Sequence, residues 1–213
     1  MQASNSSDKQ DAPGARTFTE SARRAQIVAA AIEVIAEVGY SKASFARIAR
    51  HAGLSSTGMI SYHFAGKDDL MREVVVEVMR VAEAYMRPRI EAESDFSARL
   101  RTHIESNLAL LVEYPKYLPA LIEVLTNVRG DSAGLGEFVG VTEEMNRVLA
   151  ERMREGQRVG AFREFDADVM VHAMRGAIDE VVGRAAREPG LDVTACGREL
   201  AEIFDRATRN TAP

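Results

Sequence analysis

The chain has 213 residues, 46% hydrophobic and 28% charged, enough for a sizeable core in one or two domains. Its richest apolar run, residues 27–38, is interrupted by Glu33 and Glu37, so no stretch approaches the roughly 20 apolar residues that span a bilayer, and no membrane partner is expected. The net charge of −5 is unevenly spread: residues 16–67 hold seven basic and three acidic residues, so the acidic excess lies further on. A basic module on an acidic body suits a phosphate-binding head joined to a separate sensing or assembly part.

Residues 1–18 read as a disordered polar tail without the apolar centre of a signal peptide, and a cytoplasmic protein is expected. From Thr19 to Val38 the apolar residues Ile27, Ala31, Val34, Ile35 and Val38 recur with helical spacing, and Gly39 follows as a stop. A second, shorter helix is predicted after Ser44, whose hydroxyl can cap it, with Phe45, Ile48, Ala49 and Ala52 on one face. Gly53 supplies the sharp turn. A third helix starts among Ser55, Ser56 and Thr57, with Ile60 and Phe64 inward and Thr57, Gly58, Ser61 and Tyr62 outward. This is a helix-turn-helix, and its outward residues are of the kind that reach phosphates and base edges.

A fourth helix is predicted from Lys67, with Leu70, Val74, Val78, Val81 and Tyr85 as its stripe, until Pro88 kinks or ends it. Helical patterns follow over 96–113, 115–128, 138–157, 166–187 and 193–209, and no strand is convincing. The fold class is therefore all-α: a three-helix helix-turn-helix domain over 19–66 and a helical body over 67–213. The glycine-rich stretch 130–136 reads as a mobile loop.

The order of these elements resembles the TetR family of bacterial regulators. The resemblance is strongest from Arg24 to Val74, in Gly39-Tyr40, in Ala52-Gly53-Leu54-Ser55, and in Ile60-Ser-Tyr-His-Phe64 followed by Gly66-Lys67 and Leu70. Between Leu54 and Phe64 the chain is one residue longer than the common family spacing, because Ser55-Ser-Thr-Gly58 stands where three residues are usual. The resemblance implies that the third helix enters the major groove of double-stranded DNA, that Tyr62 and His63 touch phosphates, and that Lys67 caps the fourth helix against one. Arg24 and Ser44 complete the expected DNA-contacting set with Ser55, Ser56, Thr57, Gly58 and Ser61.

The resemblance also implies a body that binds a small-molecule effector and forms a homodimer through its last two helices. Met174, Ala177, Val181, Leu200 and Phe204 are the expected dimer residues; Gly176 and Gly183, seven apart, would let such helices approach closely. His103 and Asn107, four apart beside the stripe Phe96-Leu100-Ile104-Leu111, are the first candidates for effector contacts, and their ordinary reading is as satisfied boundary residues. Tyr114, Tyr117, Met145, Met174 and Asp179 are further candidates, as is Met153, although methionine is first a core filler.

Gly130-Asp-Ser-Ala-Gly134 matches the nucleophile motif of esterases but lacks the preceding strand that motif needs. The four histidines have no metal-binding spacing, and Cys196 falls on a helical stripe with Val193, Leu200, Phe204 and Ala207 as a small core residue. No catalytic residue, metal or cofactor is expected. The sequence thus points to a ligand-responsive regulator, a repressor by preference, reading a palindromic site as a dimer. The alternative is a helical ligand-binding protein or enzyme whose basic N-terminus is incidental.

Overall fold

A computed structural model describes residues 18–128 and 135–210. Its helices are α1 (Phe18–Val38), α2 (Phe45–His51), α3 (Gly58–His63), α4 (Lys67–Glu91), α5 (Phe96–Glu113), α6 (Tyr117–Val128), α7 (Leu135–Arg158), α8 (Ala167–Arg187) and α9 (Val193–Thr208), with a short 3-10 turn at Tyr40–Lys42. Among the described residues the extended backbone pairing is a single bridge, Phe162 to Arg209. The expected tail, most of the glycine-rich stretch and the esterase-like motif lie outside the described residues.

The first three helices form because their ends are marked and their inner faces are apolar. Ser44 caps α2 by accepting a hydrogen bond from the Arg47 N–H at 3.3 Å. At the other end Gly53, at φ +65°, lets its own N–H reach the Arg50 carbonyl and the Leu54 N–H reach the Ala49 carbonyl. That pair of bonds is a Schellman stop, which needs a left-handed residue at this position. Gly39 ends α1 at φ +81° and ψ 160°, a different positive-φ conformation that also favours glycine.

Two expectations for α3 are corrected. Thr57 stands at the N-cap position but makes no side-chain capping bond, because its φ of −67° and ψ of −20° are already helical. An N-cap normally needs extended backbone to aim its oxygen at the next N–H groups. Phe64 lies beyond the helix in extended backbone and is nevertheless buried at 2% exposure.

In α4 the helix continues through Pro88 to Glu91, since a proline in the last turn disturbs few remaining bonds. At about 1.5 Å per residue its 25 residues reach roughly 37 Å. It therefore belongs to both parts of the molecule, with Leu70, Met71, Val74 and Val75 buried toward the head and Met86 buried toward the body. In the body α5 lies along α9, where Gly197 is buried and a Cβ there would sit 3.7 Å from Leu108. On the other side α7 packs on α8.

Head and body meet where α6 lies against α1 and the 3-10 turn. The Tyr40 N–H donates to Glu123 of α6 at 3.0 Å, and the Tyr40 carbonyl accepts from the Lys67 ammonium at 2.9 Å. A third tie, Lys116 to Glu37 at 3.5 Å, is more exposed.

Candidate functional site

The outer surface of the head is built on α3. Ile60 anchors the helix at 0% exposure, which turns Thr57, Gly58, Ser61 and Tyr62 to solvent together with Ser55 and Ser56 from the turn. Tyr62 is 74% exposed; its ring stands edge-on to His63 and its hydroxyl lies 3.4 Å from the Glu20 carboxylate. A groove of about 440 Å³ runs between the start of α1 and α3. It brings Ser56, Gly58, Tyr62 and His63 together with Arg23, one of the basic residues of the first helix, and with Thr19, which sequence reasoning did not assign. Lys42 and Arg50 are exposed on the same module.

Lys67 is half-buried at the start of α4, with its ammonium 3.9 Å from the centre of the Tyr40 ring. Burial pushes its pKa below the ordinary value, and the neighbouring Asp68 carboxylate partly offsets this. The bond to Tyr40 occupies one of three ammonium donors, leaving two for an external oxygen.

Arg24 is the correction in this part. It is 8% exposed, donates to the His63 carbonyl, and pairs with Glu73 of α4 at 2.7 Å. Its guanidinium also stacks 4.2 Å from the centre of the Phe64 ring. It therefore ties α1, α3 and α4 together from inside. The signal was present in the sequence: Arg24, Ile27, Ala31 and Ile35 share one helical stripe.

The body holds a cavity of about 240 Å³ between the end of α4, α5, α7 and the turn after α7. Its walls are apolar: Phe96 and Leu100 from α5, Leu149 and Met153 from α7, and Phe162. Phe96 and Phe162 meet edge-on with centroids 6.1 Å apart. The turn closes tightly because Gly156 leaves room for Phe162, whose ring would lie 2.5 Å from a Cβ at that position. Glu91, Arg99, Arg152 and Glu155 also border the cavity.

His103 lines this cavity. Desolvation lowers its pKa to about 4, helped by the positive charges of Arg175 and Arg152, so the ring is neutral at pH 7. Asn107 is buried one turn away, with its amide 3.4 Å from both the His103 ring and the His103 carbonyl. It supports His103 and does not line the cavity. The other effector candidates lie elsewhere. The Tyr114 and Tyr117 rings meet at a tilt with centroids 5.4 Å apart, and Tyr85 lies edge-on to Tyr114 at 6.2 Å. Met145 is half-buried further along α7, Met174 is buried in the core of α8, and Asp179 is exposed.

For the last two helices the structure separates two faces. Met174, Val181 and Phe204 are buried within the subunit, which corrects their expected place at a dimer surface. Ala177 and Leu200 are half-buried, packed against the edge of the core. There they lie beside exposed Val169, Ala173 and Gly176 on α8 and exposed Ile203 on α9. Cys196 is half-buried at the edge of the core. Among the described residues no group of His, Cys, Asp or Glu could hold a metal ion, and no helix is long and apolar enough to cross a membrane.

Residues 27–74 match the family model described as "Bacterial regulatory proteins, tetR family". The HTH-type transcriptional regulator BetI of Cronobacter sakazakii is 36% identical over 169 residues, covering 77% of this chain and 79% of that protein. The chain belongs to the TetR family. Against the BetI regulator of Stenotrophomonas maltophilia the match is 36% over 89 residues, so the chain spans 45% of that relative's length. Similar TetR-like folds include the fatty acid degradation regulator FadR from Bacillus halodurans, with a TM-score of 0.72 and 25% identity over 85% of this chain and 97% of that one. Another is a putative transcriptional regulator from Pseudomonas aeruginosa PAO1, with a TM-score of 0.72 and 22% identity over 90% of this chain and 92% of that one.

Proposed function

We propose that this chain is a cytoplasmic, effector-responsive DNA-binding regulator, acting as a repressor, that reads a palindromic site as a homodimer. The observation that carries the reading is the α2–Gly53–α3 unit. A short helix is held by Ile60 from behind and shows hydroxyls, a glycine and a tyrosine outward, on a module with a basic balance. Thr57, Gly58 and Ser61 are suited to base edges, whereas Ser55, Ser56, Tyr62, His63 and Lys67 are placed for phosphates. Ser44 contributes by capping α2. Arg24 contributes by positioning α3. The division at residue 66 between head and body follows the role of α4, which starts in one and ends in the other.

The dimer uses the outer face of α8 and α9, centred on Ala173, Ala177, Leu200 and Ile203 and pairing with the same face of a second copy. An effector in the body cavity touches Ile90 and Glu91 at the far end of α4. A shift there is passed along a stiff helix to Lys67 and Tyr40, and so to the spacing of the two heads. BetI and FadR are regulators by name, which agrees with this reading.

A gel-retardation titration on the DNA upstream of the coding sequence tests it, at several salt concentrations and with Lys67→Ala beside the native protein. We expect specific retardation by the native protein, with Lys67→Ala weakening all sequences alike and lowering the salt slope by about one for each phosphate that is no longer neutralised. Retention of a body ligand with no retardation of any DNA would instead identify a helical ligand-binding protein with an incidental basic head.

A further inference from the structure

We propose that the body cavity is a site for a small organic carboxylate, with its apolar part against Phe96, Phe162, Leu149 and Met153 and its carboxylate held by Arg152 at the rim and the His103 ring inside. This rests on the reading of that cavity as the effector site and adds the chemical class of the occupant.

Three observations carry it. The first is the distribution of arginine partners. Along α7 to α9 most arginines are committed to carboxylates: Arg147 to Glu144, Arg154 to Asp168, Arg158 to Glu151, Arg184 to Glu188 and Arg206 to Glu202. Arg152 and Arg175 have no ion-pair partner among the described residues, and both act on the His103 ring. Arg99, also on the rim, is bonded only to a backbone carbonyl, that of Glu93. Unpaired guanidinium groups beside a partly enclosed cavity are matched to a carboxylate, which they can bind with two parallel hydrogen bonds.

The second is the sign of the field inside. The rim holds two carboxylates, Glu91 and Glu155, as well as two guanidinium groups. At the His103 ring, however, the charges that register are those of Arg175 and Arg152, both positive. Next to that ring the arginine charges favour an anionic group over a cationic one.

The third is size and polarity. About 240 Å³ lies below the roughly 300–1,000 Å³ of pockets for drug-sized ligands, so the occupant is small. Its walls are aliphatic and aromatic, with one imidazole to hydrogen-bond a carboxylate oxygen from within. An anion there stabilises the protonated ring, so binding draws the His103 pKa upward from about 4.

The test is isothermal titration of the full-length protein, without DNA, with benzoate and hexanoate, their neutral amides, and hexylammonium. It is run on the native chain and on Arg152→Met, with the His103 ring followed by NMR. We expect both carboxylates to bind at least tenfold more tightly than the amides or the amine, a weakening of about tenfold in Arg152→Met, and an upward shift of the His103 pKa on binding. Equal affinity for acid and amide, preference for the amine, unchanged affinity in Arg152→Met, or no binding by any probe each overturns the proposal. The same preparations tested for DNA retardation keep the two readings apart. Specific retardation without carboxylate binding defeats this inference alone, whereas carboxylate binding without retardation defeats the regulator and leaves the site standing.

Discussion

Arg24→Met separates two roles that a basic residue in the first helix can have. If Arg24 works inside the head, its loss removes a charge-assisted bond to the His63 carbonyl, an ion pair with Glu73 and a stack on Phe64. A hydrogen bond to a charged group contributes about 1.5–3 kcal/mol, and the cation–π contact roughly 0.5–2 kcal/mol depending on desolvation. Glu73 is 40% exposed at its side chain, so water recovers part of what it loses. Methionine retains the stem's packing, and we expect a net destabilisation of about 3 kcal/mol. At about 2–4 °C per kcal/mol for a chain of this size, the Tm should fall by roughly 6–12 °C. Because His63 ends α3 and Phe64 follows it directly, DNA affinity should fall for all sequences even below the new melting range. Circular dichroism melting and a salt-dependent DNA titration measure both. An unchanged Tm with a salt slope lower by about one would show that Arg24 is a surface phosphate contact and that its buried placement is wrong.

Gly156→Ala should destabilise the body by about 1–3 kcal/mol in chemical denaturation, because the added methyl meets the Phe162 ring; stabilisation by about 1 kcal/mol, the usual helix-propensity gain, would show the packing there to be loose. His103 is neutral when folded, with a pKa near 4 against an ordinary value of 6.5, so the unfolded chain binds more protons between those values. Its contribution is complete above pH 6.5 and is lost as the pH falls toward 4, by at most roughly 3.4 kcal/mol, and His103→Gln should flatten that part of the stability curve. Ala177→Glu and Ile203→Glu should yield folded monomers in sedimentation, since Ile203 is exposed and Ala177 lies half-buried at the edge of the core, whereas Val181→Glu should fail to fold, since Val181 is 7% exposed inside its own subunit. Dimeric behaviour of both outer variants would place the interface elsewhere.

The parts of the fold that were legible in the sequence are those fixed by short-range chemistry. Ser44, Gly39 and Gly53 each mark an end, and Asp166 caps α8 by accepting from the N–H groups of Asp168 and Val169 at 3.0 Å. The bounds of α5 follow directly from its apolar repeat. What depends on the identity of the neighbouring helix was not legible. Arg24 falls on the inward stripe of α1, but what it pairs with appears only once α3 and α4 are in place. On α8 both faces are apolar, so periodicity alone could not tell Met174 and Val181, which are buried, from Ala173, which is exposed, and Ala177, which is half-buried at the edge of the core. The cavity is formed by residues from 90 to 162, and within its lining the sequence pattern points to His103 as an effector contact and less strongly to Met153; Arg152 carries no local signal at all.

The central claim, that two copies of this head read a symmetric DNA site, is tested most directly by selecting bound sequences from a random DNA pool with the native protein. The account predicts enrichment of a palindrome whose half-sites lie about 34–36 Å apart or a multiple of that spacing, and disappearance of the enrichment in Ile203→Glu. Enrichment of an asymmetric single site, or no enrichment in a pool that the folded protein has been shown to sample, would contradict it.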